Sequence, residues 1–435
     1  MSDLDDETDT SCGEEQIVSD WEVRKEWLET ILSKHYKGKA VKVLEFNVNS
    51  GCTTSESVLS AITSVTVKYL AALTSITNKP IDRCKTSLII KQLPKDPFSR
   101  FFVTEGQFDL REIKFYTQVM PDLKEFNERQ LAKNDKYENR ITLPVPRCFH
   151  AHYSPAGGTD ESPVPPESML VLDNLSDDGY ESVEFSRGLT LDQAMAALDA
   201  IARIHAHSLS MKVVDGQSLS ERYPFLFQTA KATDSYQQLV ERGLPQLARF
   251  LESRPGLETV LETLLVLRPR TKDIISALLA PEGPLALITH TDFWSNNLLF
   301  GNSFSESTKC YILDWQMVTY SRPTNDVALL LVSSVPTELR RKYTKTLLDK
   351  YWDKLNWTCL HLGLNIVKDL GYTRKDLDKD YRKSQLLALL LCIGSVDVAL
   401  GNPLTEQRLI DVLEDLYNDG VLTDEAIIAT KETDS

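Results

Sequence analysis

The sequence predicts an α+β chain, a small β-rich lobe followed by a larger and mostly helical one. Three observations predict it. Hydrophobic periodicity is that of strands from about residue 40 to 175 and that of helices from about 190 onward. A β insertion near 285–314 interrupts the helical half. The length, 435 residues, exceeds one compact core and suits two or three packed units.

The elements follow in order. Residues 1–15 are acidic and polar and read as a disordered tail, with a short polar tail at 431–435. Apolar or β-branched runs bounded by Gly, Pro, Asn or Ser predict strands at Ala40–Phe46, Ser64–Leu70, Thr86–Gln92, Arg147–Tyr153 and Met169–Leu175. After the third, Leu110–Met120 places Ile113, Tyr116, Val119 and Met120 on one face, a helix that Pro121 should end. Residues 35–175 thus make the first lobe and 176–425 the second. There Thr190 and Gln193 fit a capping box, and Ala194, Ala197, Leu198, Ile201 and His205 follow at helical spacing. Residues 234–280 and 336–418 read as further amphipathic helices. The β insertion comprises Leu285–Thr289, Leu298–Phe300 and Lys309–Leu313.

Composition narrows the function. Hydrophobic residues at 42% and charged residues at 26% are ordinary for a soluble globular protein. A formal charge of −15 argues against a nucleic-acid partner, yet leaves room for a nucleotide, which needs only a local cation. The seven cysteines are Cys12, Cys52, Cys84, Cys148, Cys310, Cys359 and Cys392. They form no CxxC pair and are odd in number, which reads as free thiols in a reducing compartment. The acidic start is unlike a secretory signal or transit peptide. The apolar run Leu386–Ile393 is too short to span a bilayer. A soluble cytoplasmic protein with no membrane partner is expected, so the glycosylation triplets at Asn174 and Asn356 carry no weight; oligomeric state is left open.

The residues that carry chemistry lie in the β insertion. His290-Thr291-Asp292-Phe293-Trp294-Ser295-Asn296-Asn297 follows the apolar run Leu285–Ile288, and Tyr311-Ile312-Leu313-Asp314 ends another strand with an acid. If Leu298–Phe300 and Lys309–Leu313 pair as a hairpin turning near Gly301-Asn302, Asn297 enters where Asp314 leaves. Their side-chain oxygens are then neighbouring hard ligands of the kind Mg²⁺ takes beside nucleotide phosphates. Asp292, just ahead, could take the proton of a substrate hydroxyl. Phosphoryl transfer asks for this arrangement, because positioning and charge neutralisation supply most of its catalysis.

This H-x-D-x-x-x-x-N pattern with a strand-end Asp resembles the signature shared by choline kinases, aminoglycoside phosphotransferases and eukaryotic-type protein kinases. The wording "ITHTDFWSNNLLF", "YILDWQ" and "RPTNDVALLL" looks most like the ecdysteroid kinase-like family, over roughly residues 38–420. The resemblance implies a bilobal protein-kinase-like fold and an ATP- and Mg²⁺-dependent transfer to a small hydroxylated molecule, an ecdysteroid or a detoxification product among them. It makes Asp292 the catalytic-loop acid, with His290 beside it in the catalytic motif, and makes Asn297 and Asp314 the metal ligands. Asp326 becomes an acid bracing that loop from the next helix. In the first lobe it makes Lys91 the phosphate-holding lysine and Glu112 its helix partner. Backbone groups from Asp173 to Leu175 would hold adenine. The nucleotide-covering loop departs from the pattern, since Asn49–Glu56 has one glycine, Gly51, where relatives have several.

A protein kinase is disfavoured. Trp315-Gln316 follows Asp314 where those enzymes have Phe-Gly, and about ten residues separate it from the next helix, too few for an activation segment. A non-catalytic pseudokinase scaffold is the other rival, motivated by the glycine-poor loop. The insertion at 210–282 is expected to supply the acceptor pocket, and Phe293, Trp294 and Trp315 are candidates to wall it. The pairs His150/His152 and His205/His207 lack neighbours at zinc-ligand spacing and read as ordinary histidines. No Walker P-loop and no G-x-S-x-G elbow occurs.

Overall fold

The computed structural model describes residues 21–50, 59–71, 82–133, 141–159, 162–280, 283–302 and 307–428. The two tails, Gly51 and the rest of the Gly51–Glu56 stretch, Cys12 and Cys52 lie outside the described residues. The architecture is the expected α+β arrangement, a small antiparallel sheet followed by a larger helical part.

In the first part, α1 (Lys25–His35) precedes β1 (Val41–Ser50), β2 (Ala61–Ala71) and β3 (Asp82–Gln92). Next come α2 (Pro97–Glu105), α3 (Phe108–Lys114), a π-helical turn (Phe115–Val119) and α4 (Met120–Lys133). β4 (Cys148–Ser154), the small hairpin β5 (Gly157–Thr159) and β6 (Ser162–Val164), and β7 (Glu167–Asp173) complete it. The sheet order is β1-β2-β3-β7-β4. Leu28, Ile31 and Leu32 of α1 pack on Val43, Val65, Val67, Leu88, Ile90 and Val171, so the alternating apolar side of each strand faces that helix. β7 lies between two strands and is buried along most of its length.

Pro121 does not end the helix. The Met120 N–H reaches back to Phe115 O, and the widened π turn absorbs the donor that Pro121 lacks, so the helix runs on to Lys133. The helices α1 and α2 were not expected; α2 is marked by the Asp96 cap, whose carboxylate accepts from Ser99 N at 2.7 Å, and by Pro97.

The second part begins with α5 (Leu191–Val214), whose capping box forms as predicted: Gln193 N donates to Thr190 Oγ1 at 3.2 Å and Thr190 N to Gln193 Oε1 at 3.0 Å. The short α6 (Leu219–Arg222) leads to α7 (Thr229–Glu252), α8 (Glu258–Leu267) and α9 (Thr271–Leu279). β8 (Leu287–Thr289), β9 (Leu298–Asn302), β10 (Thr308–Ile312) and β11 (Thr319–Ser321) form two small antiparallel pairs, the hairpin β9 with β10 and the outer pair β8 with β11. Gly301 and Asn302 are not the turn. They pair with Lys309 and Thr308, so the ladder extends beyond them. α10 (Thr324–Ser334), buried at every residue, is followed by α11 (Thr337–His361), α12 (Ile366–Leu370), α13 (Arg374–Gly394), α14 (Val396–Ala399) and α15 (Pro403–Asn418). Among the described residues no helix is long and apolar enough to cross a membrane.

Candidate active site

The site forms where β3, α3 and the two hairpins converge. The β9–β10 register pairs Leu298 with Ile312, and Leu313 N donates to Asn297 O at 2.8 Å. Asn297 and Asp314 therefore flank the same end of the hairpin, as the sequence predicts. Lys91 leaves β3 one residue before its end, and its Nζ lies 2.7 Å from Glu112 Oε2 and 3.0 Å from Asp314 Oδ1. The predicted lysine, its helix partner and the strand-end acid, up to 223 residues apart, thus meet at one point.

The electrostatics of that point are strong. Burial works against the Lys91 charge, but the Asp314 and Glu112 carboxylates outweigh it and hold its pKa above the ordinary lysine value. Burial pushes the Glu112 carboxyl up, and the adjoining ammonium opposes that shift. Glu112 Oε1 also accepts from Trp315 N at 3.3 Å, so α3 holds the residue after Asp314 as well as Lys91.

The 290–297 loop is over-determined. Asp326, fully buried on α10, accepts from His290 N and Thr291 N, both at 2.7 Å. Its Oδ2 also takes His205 Nε2 at 3.0 Å, and His205 Nδ1 meets the Tyr351 hydroxyl at 2.8 Å. Those contacts hold Thr291 at φ 66°, and Asp314 has φ 57°, both left-handed conformations that non-glycine residues adopt only at a cost. The brace inferred for Asp326 is therefore in place, and sequence reasoning missed its continuation through His205 and Tyr351.

His290, expected beside Asp292 in the motif, is bound to backbone on both sides of its ring. It is fully buried, its Nδ1 accepts from Asp292 N at 3.2 Å, and its Nε2 donates to Leu313 O at 2.8 Å. With both ring nitrogens committed to backbone, it ties Asp292 to the residue before Asp314. Asp292 itself is partly exposed. Burial and the Asp314 charge raise its pKa, which strengthens it as a base.

Asn297 Nδ2 donates to Asp292 Oδ2 at 2.8 Å and to Asp292 O at 2.9 Å. This fixes the amide so that its oxygen is the unspent group. With the second carboxylate oxygen of Asp314, it makes a pair of hard oxygen donors, which fits Mg²⁺. Among the described residues no cluster of three or more His, Cys, Asp or Glu could hold a metal. Asn297 and Asp314 would hold a metal only together with phosphates and water, the usual partners of Mg²⁺.

Two expectations change at the periphery. Asp173 N donates to Arg147 O and Asn174 N to Ser87 O, each at 2.9 Å, so a nucleobase at this edge cannot be held by those donors. Leu175 is buried and opens a short 3₁₀ turn. Beside Asp292 lies a small cavity, open to solvent at its mouth, reaching from Trp294 to α10, α13, α14 and α15. No residue of the 210–282 insertion lines it. Those helices pack on the far side of α13 instead, α7 approaching so closely that Gly243 faces the Ile393 carbonyl. Phe293 and Trp315 are fully buried, Trp315 stacking on Phe115 at 3.9 Å, and of the three aromatic candidates only Trp294 reaches the cavity.

Comparisons with known proteins bear on this site. The family model described as the ecdysteroid kinase-like family matches residues 54–364. A curated relative, the uncharacterized oxidoreductase dhs-27 of Caenorhabditis elegans, is 20% identical over 346 residues. That match takes in 76% of this chain and 37% of the relative, so this chain spans little more than a third of its length. Among solved structures, choline kinase from Cryptosporidium parvum Iowa II aligns at 10% identity and TM-score 0.42, over 88% of this chain and 93% of its own. Plasmodium vivax ethanolamine kinase aligns at 10% identity and TM-score 0.39, over 86% and 83% respectively. Because the family match takes in Lys91, Glu112, the 290–297 loop, Asp314 and the bracing Asp326 together, and covers well over half of the sequence, this chain belongs to the ecdysteroid kinase-like family.

Proposed function

We propose that this protein is an ATP-dependent phosphotransferase that phosphorylates a hydroxyl group of a small molecule. The observation that carries the reading is the convergence of Lys91, Glu112 and Asp314 within 3.0 Å, beside a buried-edge carboxylate, Asp292, that opens onto a cavity. Lys91 binds the inner phosphates of the nucleotide, and Asn297 and Asp314 hold Mg²⁺. When bound, Mg²⁺ supplies charge neutralisation for the phosphate oxygens. Glu112 keeps the Lys91 ammonium in position. Asp292 accepts the acceptor's hydroxyl proton on its carboxylate, Oδ1 being the oxygen not engaged by Asn297. His290, Asn297 and Asp326 fix that carboxylate's place, and preorganisation of this kind is most of what the protein can contribute to phosphoryl transfer.

A small acceptor is favoured over a protein. β11 and α10 follow Asp314 almost at once, and α10 is buried at every residue, which leaves no stretch of chain for an activation segment there. An ecdysteroid or a xenobiotic-derived alcohol, in a soluble cytoplasmic setting, is the acceptor class the family suggests.

The test is ATP-dependent ADP release by the purified chain against a panel of hydroxylated steroids, glucosides and simple alcohols, with Asp292→Asn as control. Turnover that the substitution abolishes, with the melting temperature kept, supports the reading. Undiminished turnover in Asp292→Asn removes it, and absence of any MgATP binding by calorimetry favours a scaffold.

A further inference from the structure

The cavity beside Asp292 contains a charge that no acid of the described residues balances. Arg408, on α15, is 6% exposed and lines that cavity. Its Nη1 donates to Ser333 O at 3.0 Å, and its Nη2 to Phe185 O at 3.0 Å and Ser186 O at 2.9 Å. The guanidinium lies 5.1 Å from the centre of the Phe185 ring. The buried Arg340, by contrast, meets Asp415 at 2.8 Å. A guanidinium has five N–H donors, and carbonyls take three of those on Arg408. Carbonyls supply partial charges only, and a cation this deep is costly without a full counter-charge.

The remaining walls say what would bring that counter-charge. Leu329, Val332, Leu391, Leu409 and Val412 make the cavity apolar, and Asp292 is the sole acid among its lining residues. The carboxylate and the guanidinium therefore line one apolar passage, Asp292 on the 290–297 loop and Arg408 on α15.

We propose that Arg408 is a specificity-determining residue that binds a carboxylate on the phosphoryl acceptor, which makes the acceptor class a hydroxylated apolar acid. For the reaction this rests on the phosphotransferase reading above; for binding it rests on Arg408 and the cavity alone. The acceptor's hydroxyl lies at Asp292, its apolar body crosses the passage, and its carboxylate takes the N–H donors that the carbonyls leave, in charge-assisted hydrogen bonds. A cationic acceptor would meet a like charge at the far end, which excludes it by repulsion as well as by missing contacts.

The experiment uses matched sets of ω-hydroxy acids from hexanoate to dodecanoate, their methyl esters and the corresponding ω-amino alcohols. KM and kcat with MgATP, and melting temperature with each compound, are measured on the full chain and on Arg408→Gln and Arg408→Lys. The parent is expected to prefer an acid over its ester by about tenfold or more in KM, as one charge-assisted contact allows, with the amino alcohol poorest. Arg408→Gln should collapse the acid-to-ester ratio towards one, and Arg408→Lys should restore part of it. Equal KM values for acid, ester and amine in the parent overturn the proposal. So does a loss in Arg408→Gln that is the same for all three, which is what a residue merely bracing 185–186 against α10 would give. If no compound is turned over, the melting data decide. Stabilisation by the acid alone that depends on Arg408 keeps the binding inference while the phosphotransferase reading fails, and no stabilisation by any acid overturns it.

Discussion

Replacing Asp326 with alanine is the sharpest test of how the catalytic loop is held. The substitution removes the acceptor of three hydrogen bonds, from His290 N, Thr291 N and His205 Nε2, in a fully buried place where water cannot substitute. Each buried donor left unmet costs about 1–3 kcal/mol, and the three share one neighbourhood, so the combined loss is about 5 kcal/mol rather than the full sum. For a helical lobe of about 250 residues, each kcal/mol shifts the melting temperature by about 2–4 °C, which puts the expected fall between about 10 and 20 °C. Asp326→Asn keeps one acceptor oxygen but turns an N–H₂ towards a donor, so it should lose about half as much. Turnover should fall further than stability does. Thr291 sits at a φ that costs about 1–3 kcal/mol when nothing holds it, and its relaxation moves the adjoining Asp292. Thermal unfolding followed by circular dichroism reads the first effect and ADP release the second. If Asp326→Ala melts within about 2 °C of the parent, the brace carries no such energy and the reasoning fails.

Three further outcomes can be measured directly. His207 is fully buried, with Nδ1 donating to Arg203 O at 2.7 Å, and burial lowers its pKa from 6.5 to about 4. Its neutral form stabilises the fold fully above pH 6.5, and this contribution is lost as pH falls towards 4, by up to about 3 kcal/mol. His207→Gln should flatten that part of the pH–stability curve, and an unchanged curve would count against it. Gly243→Ala would set a Cβ 1.8 Å from Ile393 O, forcing α7 off α13 at a cost of about 3 kcal/mol or more; a urea midpoint unmoved from the parent would contradict the helix approach. Lys91→Met should weaken MgATP binding by about tenfold or more in a calorimetric titration, since one charge-assisted contact is lost, and undiminished affinity would remove the lysine from the nucleotide site.

The site was legible where chain connectivity does the placing. His290, Asp292 and Asn297 lie on one loop, and a hairpin must return Asp314 beside Asn297 whatever the rest of the molecule does. Lys91 and Glu112 were legible only through the family resemblance, since by local rules they are a strand-end lysine and one acid among several, and α2 separates β3 from α3. Local rules failed where tertiary packing overrode them. Pro121 reads as a helix stop, yet a π turn carries the helix past it. His205 reads as one more core histidine, and nothing local ties it to Asp326 and Tyr351, 121 and 146 residues away. The acceptor cavity was the least legible part. Amphipathic periodicity says that α13 and α15 each have a buried face, but not what lies against it. The 210–282 helices, amphipathic in the same way, spend their apolar faces on the opposite side of α13. A usable signal was Arg408, a lone cation beside Leu409 and Val412 on a face that otherwise reads as apolar.

The cavity beside Asp292 and the 290–297 loop are coupled through one helix. α10 carries Asp326, which holds His290 and Thr291, and on the same face at helical spacing it carries Leu329 and Ser333, which line the cavity. Its last residue, Ser334, accepts from Ser295 N at 2.8 Å, so both ends of the loop are tied to it. The short link after Asp314 makes this possible. With no segment interposed, α10 begins directly after β11, and its outer face is left for α13, α14 and α15 to cover. The covering helices meet α10 around a gap, and that gap opens onto Asp292. Variation in the closing helices can reshape the acceptor cavity while β9, β10 and Asp314 stay in place. A shift of α10 itself would instead displace Thr291 and the cavity wall together. In the proposed reading, changes in α13–α15, which lie beyond the segment that the family model matches, would alter acceptor choice alone, whereas changes along α10, within it, would also move the 290–297 loop.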